Sequence, residues 1–236
     1  MAVKGFVPYS GLIRGVVFDM DGTGIDYNYG VHNTSWDALM HFLGKKEKGL
    51  VAKYDAIVAS HINRPAQYTE WFNELLELIE GKETAYAKKN MLPPPYIEGF
   101  RKTCRELGKH NVKRGIVSCG VNFVGEYIVN ELNLDFLLMN KLYEEDGMFT
   151  GKGDLKVNPF RKDEALKDLC NQLKGGILPE NITLPEIAVV GNDITDVPMF
   201  KVTDLNFAVK GDKMAKRAAR YSIRSPTSIL KVLAAI

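Results

Sequence analysis

Short apolar runs that end in polar or glycine-rich loops recur along this chain, and helical patterns separate them. Such a run is typical of a buried parallel strand that leads into a loop. The runs are Leu12–Phe18, Val112–Cys119, Glu186–Gly191 and Leu205–Val209. The helical patterns are Tyr96–Leu107, Val121–Leu132, Lys162–Leu173, Val197–Lys201 and Lys213–Arg220. This alternation predicts an α/β fold with a Rossmann-like, doubly wound parallel sheet as its core.

One long segment interrupts the alternation. Residues 25–95 are rich in aromatic side chains and helical patterns, such as Trp36–Leu43 and Tyr68–Ile79. These patterns predict a helical cap subdomain that is inserted into the core. We therefore expect residues 1–24 and 96–236 to form the α/β core and residues 25–95 to form the cap.

A second, smaller insertion is expected within Met139–Thr150. Asp146-Gly147 is a strong turn signal, and two short strand-like stretches, Lys141–Tyr143 and Met148–Thr150, flank it. The segment therefore predicts a β-hairpin.

The composition excludes several classes of protein. Of the 236 residues, 45% are hydrophobic and 25% are charged, which is ordinary for a globular domain. The apolar runs fall far short of the roughly 20 residues that cross a bilayer, and the first residues lack the pattern of a signal peptide. We therefore expect a cytoplasmic protein that does not contact a membrane. A net charge of +2 favours no nucleic-acid partner. The widely spaced Cys104, Cys119 and Cys170 predict neither a disulfide framework nor a zinc site.

Two carboxylates, Asp19 and Asp21, follow the first predicted strand. Ligands collect outside the carboxyl ends of parallel strands, so chemistry is expected there. Carboxylates at this spacing can converge on one Mg²⁺ ion, which prefers oxygen ligands. A bound cation lets an anionic carboxylate approach a phosphate, and aspartate is a nucleophile in reactions that form an aspartyl-phosphate. The alternative interpretation is that the Asp-Gly pair only turns the chain.

The segment Phe18–Thr23 resembles the first signature of the haloacid dehalogenase superfamily, DxDGT after a strand. The second motif of that superfamily, a Ser or Thr at the end of the next core strand, is matched by Ser118. Its third motif, a lysine, is best matched by Lys162. Its fourth motif, GDxxxD, is approximated by Gly191–Asp196. Four motifs in this order identify the chain as a member of the superfamily.

The resemblance implies a role for each matched residue. Asp19 attacks phosphorus, and Asp21 protonates the leaving alcohol and then deprotonates the hydrolytic water. Ser118 donates a hydrogen bond to the phosphoryl group, and Lys162 neutralises its charge. Mg²⁺ is the implied cofactor, and its candidate ligands are Asp19, Asp21, Asn192, Asp193 and Asp196.

The chain departs from the family pattern at specific positions. Asn192 stands where the family usually has an aspartate after glycine, which predicts weaker metal binding and leaves Asp193 as an alternative ligand. The helical insertion and the hairpin resemble the phosphoserine phosphatase branch. Members of that branch usually have a serine after the second aspartate and a glutamate seven residues beyond it, whereas this chain has Gly22 and Asn28.

The substrate is expected to be a small phosphorylated metabolite. Its phosphate would contact Ser118, Cys119, Gly120 and Lys162, while Asn28 and Arg64 are candidate contacts from the cap. Tyr27, Trp36 and Trp71 are further candidates, although aromatic residues at helical spacing more often pack within the core of such a subdomain.

These observations predict a Mg²⁺-dependent phosphatase that hydrolyses a small phosphomonoester through an aspartyl-phosphate on Asp19. One alternative is a phosphomutase with the same fold, and another is a catalytically weak, phosphate-binding regulatory module. The presence of both Asp19 and Asp21 argues against the second alternative and against dehalogenation. We expect a monomer or a homodimer.

Overall fold

A computed structural model describes residues 13–234 of the chain. Its strands are β1 (Gly15–Phe18), β2 (Lys113–Ser118), β3 (Phe136–Met139), β4 (Lys141–Glu145), β5 (Met148–Asp154), β6 (Ile187–Gly191), β7 (Leu205–Val209) and β8 (Tyr221–Ile223). Its α-helices are α1 (Ser35–Gly44), α2 (Leu50–His61), α3 (Tyr68–Ile79), α4 (Thr84–Met91), α5 (Phe100–Lys109), α6 (Asn122–Leu132), α7 (Lys162–Leu173), α8 (Val197–Lys201), α9 (Lys213–Ala218) and α10 (Thr227–Leu233). Within residues 13–234, none of these helices is long and apolar enough to cross a membrane.

A six-stranded parallel sheet forms the centre of the molecule, in the order β3-β2-β1-β6-β7-β8. In β1, Gly15 pairs with Lys113 of β2 on one side and with Ile187 of β6 on the other. The chain order therefore reverses between β1 and β6, which is the point where doubly wound sheets open a ligand-binding crevice. The predicted Rossmann-like core is confirmed.

Both faces of the sheet are buried, which explains why its strands read as continuous apolar runs. In β1, Val16 and Phe18 pack into the core cluster that reaches the inserted helices. Val17, between them, points to the opposite face and packs in a second cluster with Val117 and Val189. Successive strand residues point to opposite faces, so each apolar residue of β1 contributes to one of the two layers.

Helices α1 to α4 lie between β1 and β2 in the chain and form the predicted helical insertion. The two connections to this cap run side by side, because the Asp26 amide donates to the Pro95 carbonyl and the Ile97 amide donates to the Gly24 carbonyl, both at 2.9 Å. Helix α1 begins with a capping box between Thr34 and Asp37. The boundaries at residues 24/25 and 95/96 stay predictions.

Strands β4 and β5 form the predicted antiparallel hairpin, which extends to Asp154. Asp146 and Gly147 both have positive φ angles, 48° and 78°, as a tight hairpin turn requires.

One predicted helix and the first predicted strand begin later in the structure than the sequence predicts. The helix predicted from Tyr96 begins at Phe100, because Tyr96 pairs with Ile25 in a strand-like bridge and Gly99 has a φ angle of 91°. The first strand was predicted from Leu12, which lies outside the described residues, and β1 begins at Gly15.

Candidate active site

A cavity of about 470 Å³ opens between the carboxyl ends of the strands and the cap. Loops that follow β1, β2 and β6, together with the start of α7, supply its polar lining. The predicted site residues in that lining are Asp19, Asp21, Ser118, Cys119, Gly120, Lys162, Asn192 and Asp193. These residues are distant in the sequence and meet because parallel strands end at the same edge of a sheet.

Lys162 joins two buried carboxylates at the floor of the cavity. Its Nζ lies 2.8 Å from Asp19 Oδ1 and 2.8 Å from Asp196 Oδ1. Lys162 is 1% exposed, Asp19 5% and Asp196 0%. A charged group at this depth needs ionic partners, which the two carboxylates supply. The other cations near the third motif lie elsewhere: Arg161 pairs with Glu164, and Lys156 is exposed.

The environment shifts the pKa values of these groups. Burial raises the pKa of the Asp19 carboxyl to about 6, against the opposing effect of Lys162. Burial also raises the pKa of the Asp21 carboxyl to about 7, although hydrogen bonds from Ser35 oppose the shift. Burial alone would lower the pKa of Lys162, but Asp19 and Asp196 outweigh it and raise that pKa well above its usual value. Lys162 is therefore a permanent cation, while Asp21 can hold a proton near neutral pH.

The carboxylate of Asp21 is fixed by the first helix of the cap. Its Oδ1 accepts from the Ser35 amide and its Oδ2 from the Ser35 hydroxyl, both at 2.8 Å. Ser35 Oγ in turn accepts from the Val121 amide at 2.9 Å. A Cβ at Gly120 would lie 2.6 Å from Asp21 Oδ2, so glycine is needed there. Ser35 therefore links the loop after β1, the start of α1 and the loop after β2.

The loop after β6 is held by its own side chains. Asp196 Oδ2 accepts from the Asn192 and Asp193 amides at 2.7 and 3.2 Å. Asp193 Oδ1 accepts from the amide and the hydroxyl of Thr195 at 2.8 and 2.6 Å. Thr23 Oγ1 donates to Asn192 Oδ1 at 3.1 Å, which ties this loop to the first motif. Both oxygens of Asp196 thus have protein partners, whereas the two hydrogen bonds from Thr195 to Asp193 use only its Oδ1.

Residues 118–120 form the wall of the cavity beneath the cap. Ser118 is 1% exposed, and its Oγ accepts from the Gly120 amide at 3.3 Å. Burial raises the pKa of the Cys119 thiol to about 12, so this cysteine is a neutral group and not a nucleophile. The Cys119 carbonyl accepts a hydrogen bond from Trp36 Nε1 at 3.2 Å, which is a second direct link between cap and core.

The candidate contacts from the cap fall into two groups. Trp36 and Trp71 line the cavity, whereas Asn28 and Arg64 are exposed residues outside its lining. Tyr27 is buried and donates its hydroxyl hydrogen to the Met91 carbonyl at 2.6 Å. Lining residues that the sequence did not single out are Thr34, Tyr54, Val58, Ile62, Tyr68, Leu75, Phe160 and Lys210. For Tyr54, Val58, Ile62, Tyr68 and Leu75 the only sequence signal is helical apolar spacing, which predicts packing equally well. Thr34, Phe160 and Lys210 have no signal of this kind.

The donor set of the cavity fits a hard divalent cation. Its lining contains four carboxylates but only two lysines. The carboxylates are those of Asp19, Asp21, Asp26 and Asp193, and the lysines are Lys162 and Lys210. This excess of negative charge would repel a phosphate unless a cation offset it. No group of three His, Cys, Asp or Glu side chains among residues 13–234 is arranged as a metal site. A Mg²⁺ site here would therefore also use the Asn192 amide oxygen and water, and Mg²⁺ usually keeps several waters.

Comparisons with known proteins identify the family of this chain. The family model of the haloacid dehalogenase-like hydrolases matches residues 16–201. The phosphoserine phosphatase of Lactococcus lactis subsp. lactis (strain IL1403) is 25% identical over 225 residues, which are 94% of this chain and 91% of that protein. That of Idiomarina loihiensis is 26% identical over 226 residues, 95% of this chain and 92% of that protein. A solved phospho-aspartyl intermediate analogue of phosphoserine phosphatase shares the fold, with a TM-score of 0.73, 22% identity and coverage of 93% of this chain and 98% of that one. The chain therefore belongs to the haloacid dehalogenase-like hydrolase family and resembles the phosphoserine phosphatases within it.

Proposed function

We propose that this protein is a Mg²⁺-dependent phosphatase that hydrolyses a small phosphomonoester through an aspartyl-phosphate on Asp19. The observation that carries the proposal is the pairing of two unlike carboxyl groups in one cavity. Asp19 is ion-paired with Lys162, whereas Asp21 has a pKa of about 7 and can donate a proton. Membership of the hydrolase family and the names of its phosphoserine phosphatase relatives support the class of phosphoric monoester hydrolases.

The reaction has two steps. In the first, a carboxylate oxygen of Asp19 bonds to phosphorus, the bond from phosphorus to the ester oxygen breaks, and Asp21 protonates the leaving alcohol. In the second, Asp21 takes a proton from water, the water oxygen bonds to phosphorus, and the bond to Asp19 breaks to release phosphate. Acid and base assistance of this kind is typically worth about 10² to 10⁴ in rate. Lys162 keeps Asp19 ionised and offsets phosphoryl charge, and electrostatic stabilisation is often the largest catalytic contribution.

Mg²⁺ would be held by the side chains of Asp19, Asn192 and Asp193, which line the cavity, with water among the remaining ligands. When bound, it supplies positive charge to the phosphoryl oxygens. Asp21 and Asp196 were also predicted ligands, but both oxygens of each carboxylate already have protein partners. Asp196 is better placed to orient Lys162 and the loop after β6.

A small phosphorylated metabolite is the proposed substrate. Phosphate contacts from Ser118, Cys119, Gly120 and Lys162 are part of this proposal. A cytoplasmic location and a monomeric or homodimeric state stay predictions from the sequence.

The test is release of phosphate from p-nitrophenyl phosphate and from a panel of aliphatic phosphomonoesters, in Mg²⁺ or in EDTA. We expect turnover that needs Mg²⁺ and is lost in Asp19→Asn. Isomerised sugar phosphate without free phosphate would establish the phosphomutase instead. Folded protein that binds phosphate without turnover in saturating Mg²⁺ would contradict the proposal and favour the regulatory module.

A further inference from the structure

The face of the active-site cavity that α2 and α3 form is apolar. We call this surface the cap wall. It is formed by Tyr54, Val58, Ile62, Tyr68, Trp71 and Leu75. The first three are spaced at i, i+4 and i+8 along α2 and its end, and the last three at i, i+3 and i+7 along α3. Each set therefore lies on one face of its helix, and both faces border the same cavity.

Aliphatic side chains are also exposed around the cavity. Ile62 of the cap wall is 39% exposed, and Ile194, in the loop after β6, is 53% exposed. Both line the cavity. A single exposed aliphatic residue is ordinary, but two in the lining of one cavity, beside an apolar wall, mark a surface that an apolar ligand can cover.

The cap wall offers no charge to a ligand. The Tyr68 hydroxyl accepts from Asn140 Nδ2 at 3.3 Å, and the Tyr54 hydroxyl is engaged with Thr34 and Asp37. Charged groups of the lining lie instead on the core loops and on the connection from β1 to α1, where Asp26 and the His32 imidazole are exposed. An ammonium or carboxylate group placed against the cap wall would lose water without gaining a partner.

Aromatic rings make up half of the cap wall. The rings of Tyr68 and Trp71 meet edge to face at 5.7 Å, and Tyr68 meets Phe160 in the same manner at 6.4 Å. Trp71 and Phe160 are half-buried, so part of each ring stays accessible. A flat ring can extend such an edge-to-face cluster and gain more than its burial alone provides.

We infer that the substrate is the phosphomonoester of an uncharged, aromatic alcohol, whose ring lies on the cap wall while its phosphate lies on Asp19 and Lys162. The inference rests on the proposed phosphatase for the phosphoryl end only. The ring end rests on the apolar and aromatic lining.

Two esters of the same chain length test whether the site prefers an aromatic ring on the alcohol. These are 2-phenylethyl phosphate and O-phosphoethanolamine, which are both phosphate esters of a two-carbon primary alcohol. The first carries a phenyl group on its second carbon, and the second carries an ammonium group there. We expect kcat/KM to be roughly tenfold to a hundredfold higher for the phenyl ester, since burial of a phenyl ring contributes on that scale. Equal or higher kcat/KM for O-phosphoethanolamine, or for O-phospho-L-serine, would overturn the inference.

A charge placed on the cap wall should shift this preference. Ile62→Glu changes an exposed residue and adds a carboxylate to the lining, so the ratio of the two kcat/KM values should fall by about two- to fivefold, as expected for an exposed ion pair. Ile177→Glu is the matched control, because Ile177 is 36% exposed and lies outside this cavity. The same ratio in both variants would contradict a contact between the substrate and the cap wall.

Binding can be measured without turnover. The chain has two tryptophans, Trp36 and Trp71, and both line the cavity, so their fluorescence reports its occupancy. We expect 3-phenylpropylphosphonate to quench at lower concentration than 3-aminopropylphosphonate in Mg²⁺. Preferential binding of the phenyl phosphonate with no hydrolysis of any ester would refute the proposed phosphatase activity, but it would still support an aromatic ligand. Hydrolysis without a preference would refute only the aromatic substrate.

Discussion

At the scale of single residues, Asp21 shows that the site is built at a cost to stability. Burial raises the pKa of its carboxyl to about 7, from an ordinary value of 3.8, so the folded state holds the proton more tightly than the unfolded state. The tighter binding of the proton to Asp21 adds to the free energy of unfolding. This stabilising contribution is complete below about pH 4 and is lost as the pH rises through about 7, so Asp21 carries its cost to stability at neutral pH. Functional groups often carry such a penalty.

Asp21→Asn should therefore stabilise the protein while it removes turnover of aliphatic esters. In EDTA, we expect the Tm difference between the variant and the natural chain to be near zero at about pH 4 and to rise by several degrees above pH 7. Thermal unfolding across this pH range measures it. A difference that does not change with pH would contradict the assigned ionisation of Asp21.

Asn192 is a neutral group where a charged metal ligand is expected. Asn192→Asp should strengthen Mg²⁺ binding, because an added carboxylate raises the attraction for a hard cation. It should also lower the Tm in EDTA, since Asp19 and Asp193 lie near. We expect a lower Mg²⁺ concentration for half-maximal activity and a larger rise in Tm on adding Mg²⁺. Asn111→Asp, at an exposed position, controls for the added charge. Unchanged Mg²⁺ dependence would remove Asn192 from the ligand set.

At the scale of elements, the first helix of the cap completes the proposed catalytic site. Both Ser35 hydrogen bonds to Asp21 come from the start of α1, and both lower the pKa of that carboxyl. The link crosses from cap to core, so any opening of the cap would also release Asp21. That coupling was not predictable, because nothing near Ser35 in the sequence shows that it reaches Asp21.

Ser35→Ala removes one of these bonds, so the pKa of Asp21 should rise. Because the proposed mechanism uses protonated Asp21 as the acid, the alkaline limb of the kcat/KM profile should move to higher pH and the maximal rate should fall. Profiles with an aliphatic ester measure this shift. Ser60→Ala, an exposed serine of α2, is the control. An alkaline limb that stays in place or moves to lower pH would contradict the role of Ser35.

The elements differ in how well the sequence predicts them. Strands β6 and β7 were found because they are continuous apolar runs, whereas β3 and β8 were missed. β3 has four residues, and β8 has three half-buried or exposed ones, so pairing with neighbouring strands defines them. Strand formation depends on such tertiary context more than on local preference. Helix α10 was missed as well.

At the scale of the whole molecule, topology explains why the residues that the core contributes to the site could be predicted from the sequence. Asp19, Ser118, Lys162 and Asp196 stand at strand ends or a helix start in four separate parts of the chain, and the parallel order of the sheet brings them to one edge. Their order predicted both the fold and the family. No comparable sequence pattern predicts the cap wall, because its position depends on how α2 and α3 pack against each other. Asn28 and Arg64, chosen by residue type alone, lie outside the cavity lining.

The most direct test of the account is to trap the phosphoryl group on Asp19. Asp21→Asn should still react with p-nitrophenyl phosphate, whose leaving group needs no acid, but it should not activate water. With Mg²⁺ present, we predict a burst of p-nitrophenol close to one equivalent per enzyme, followed by a stall. Borohydride reduction should then convert residue 19 to homoserine, which peptide mass spectrometry identifies. No burst, or modification of a different residue, would contradict the assignment of Asp19 as the nucleophile.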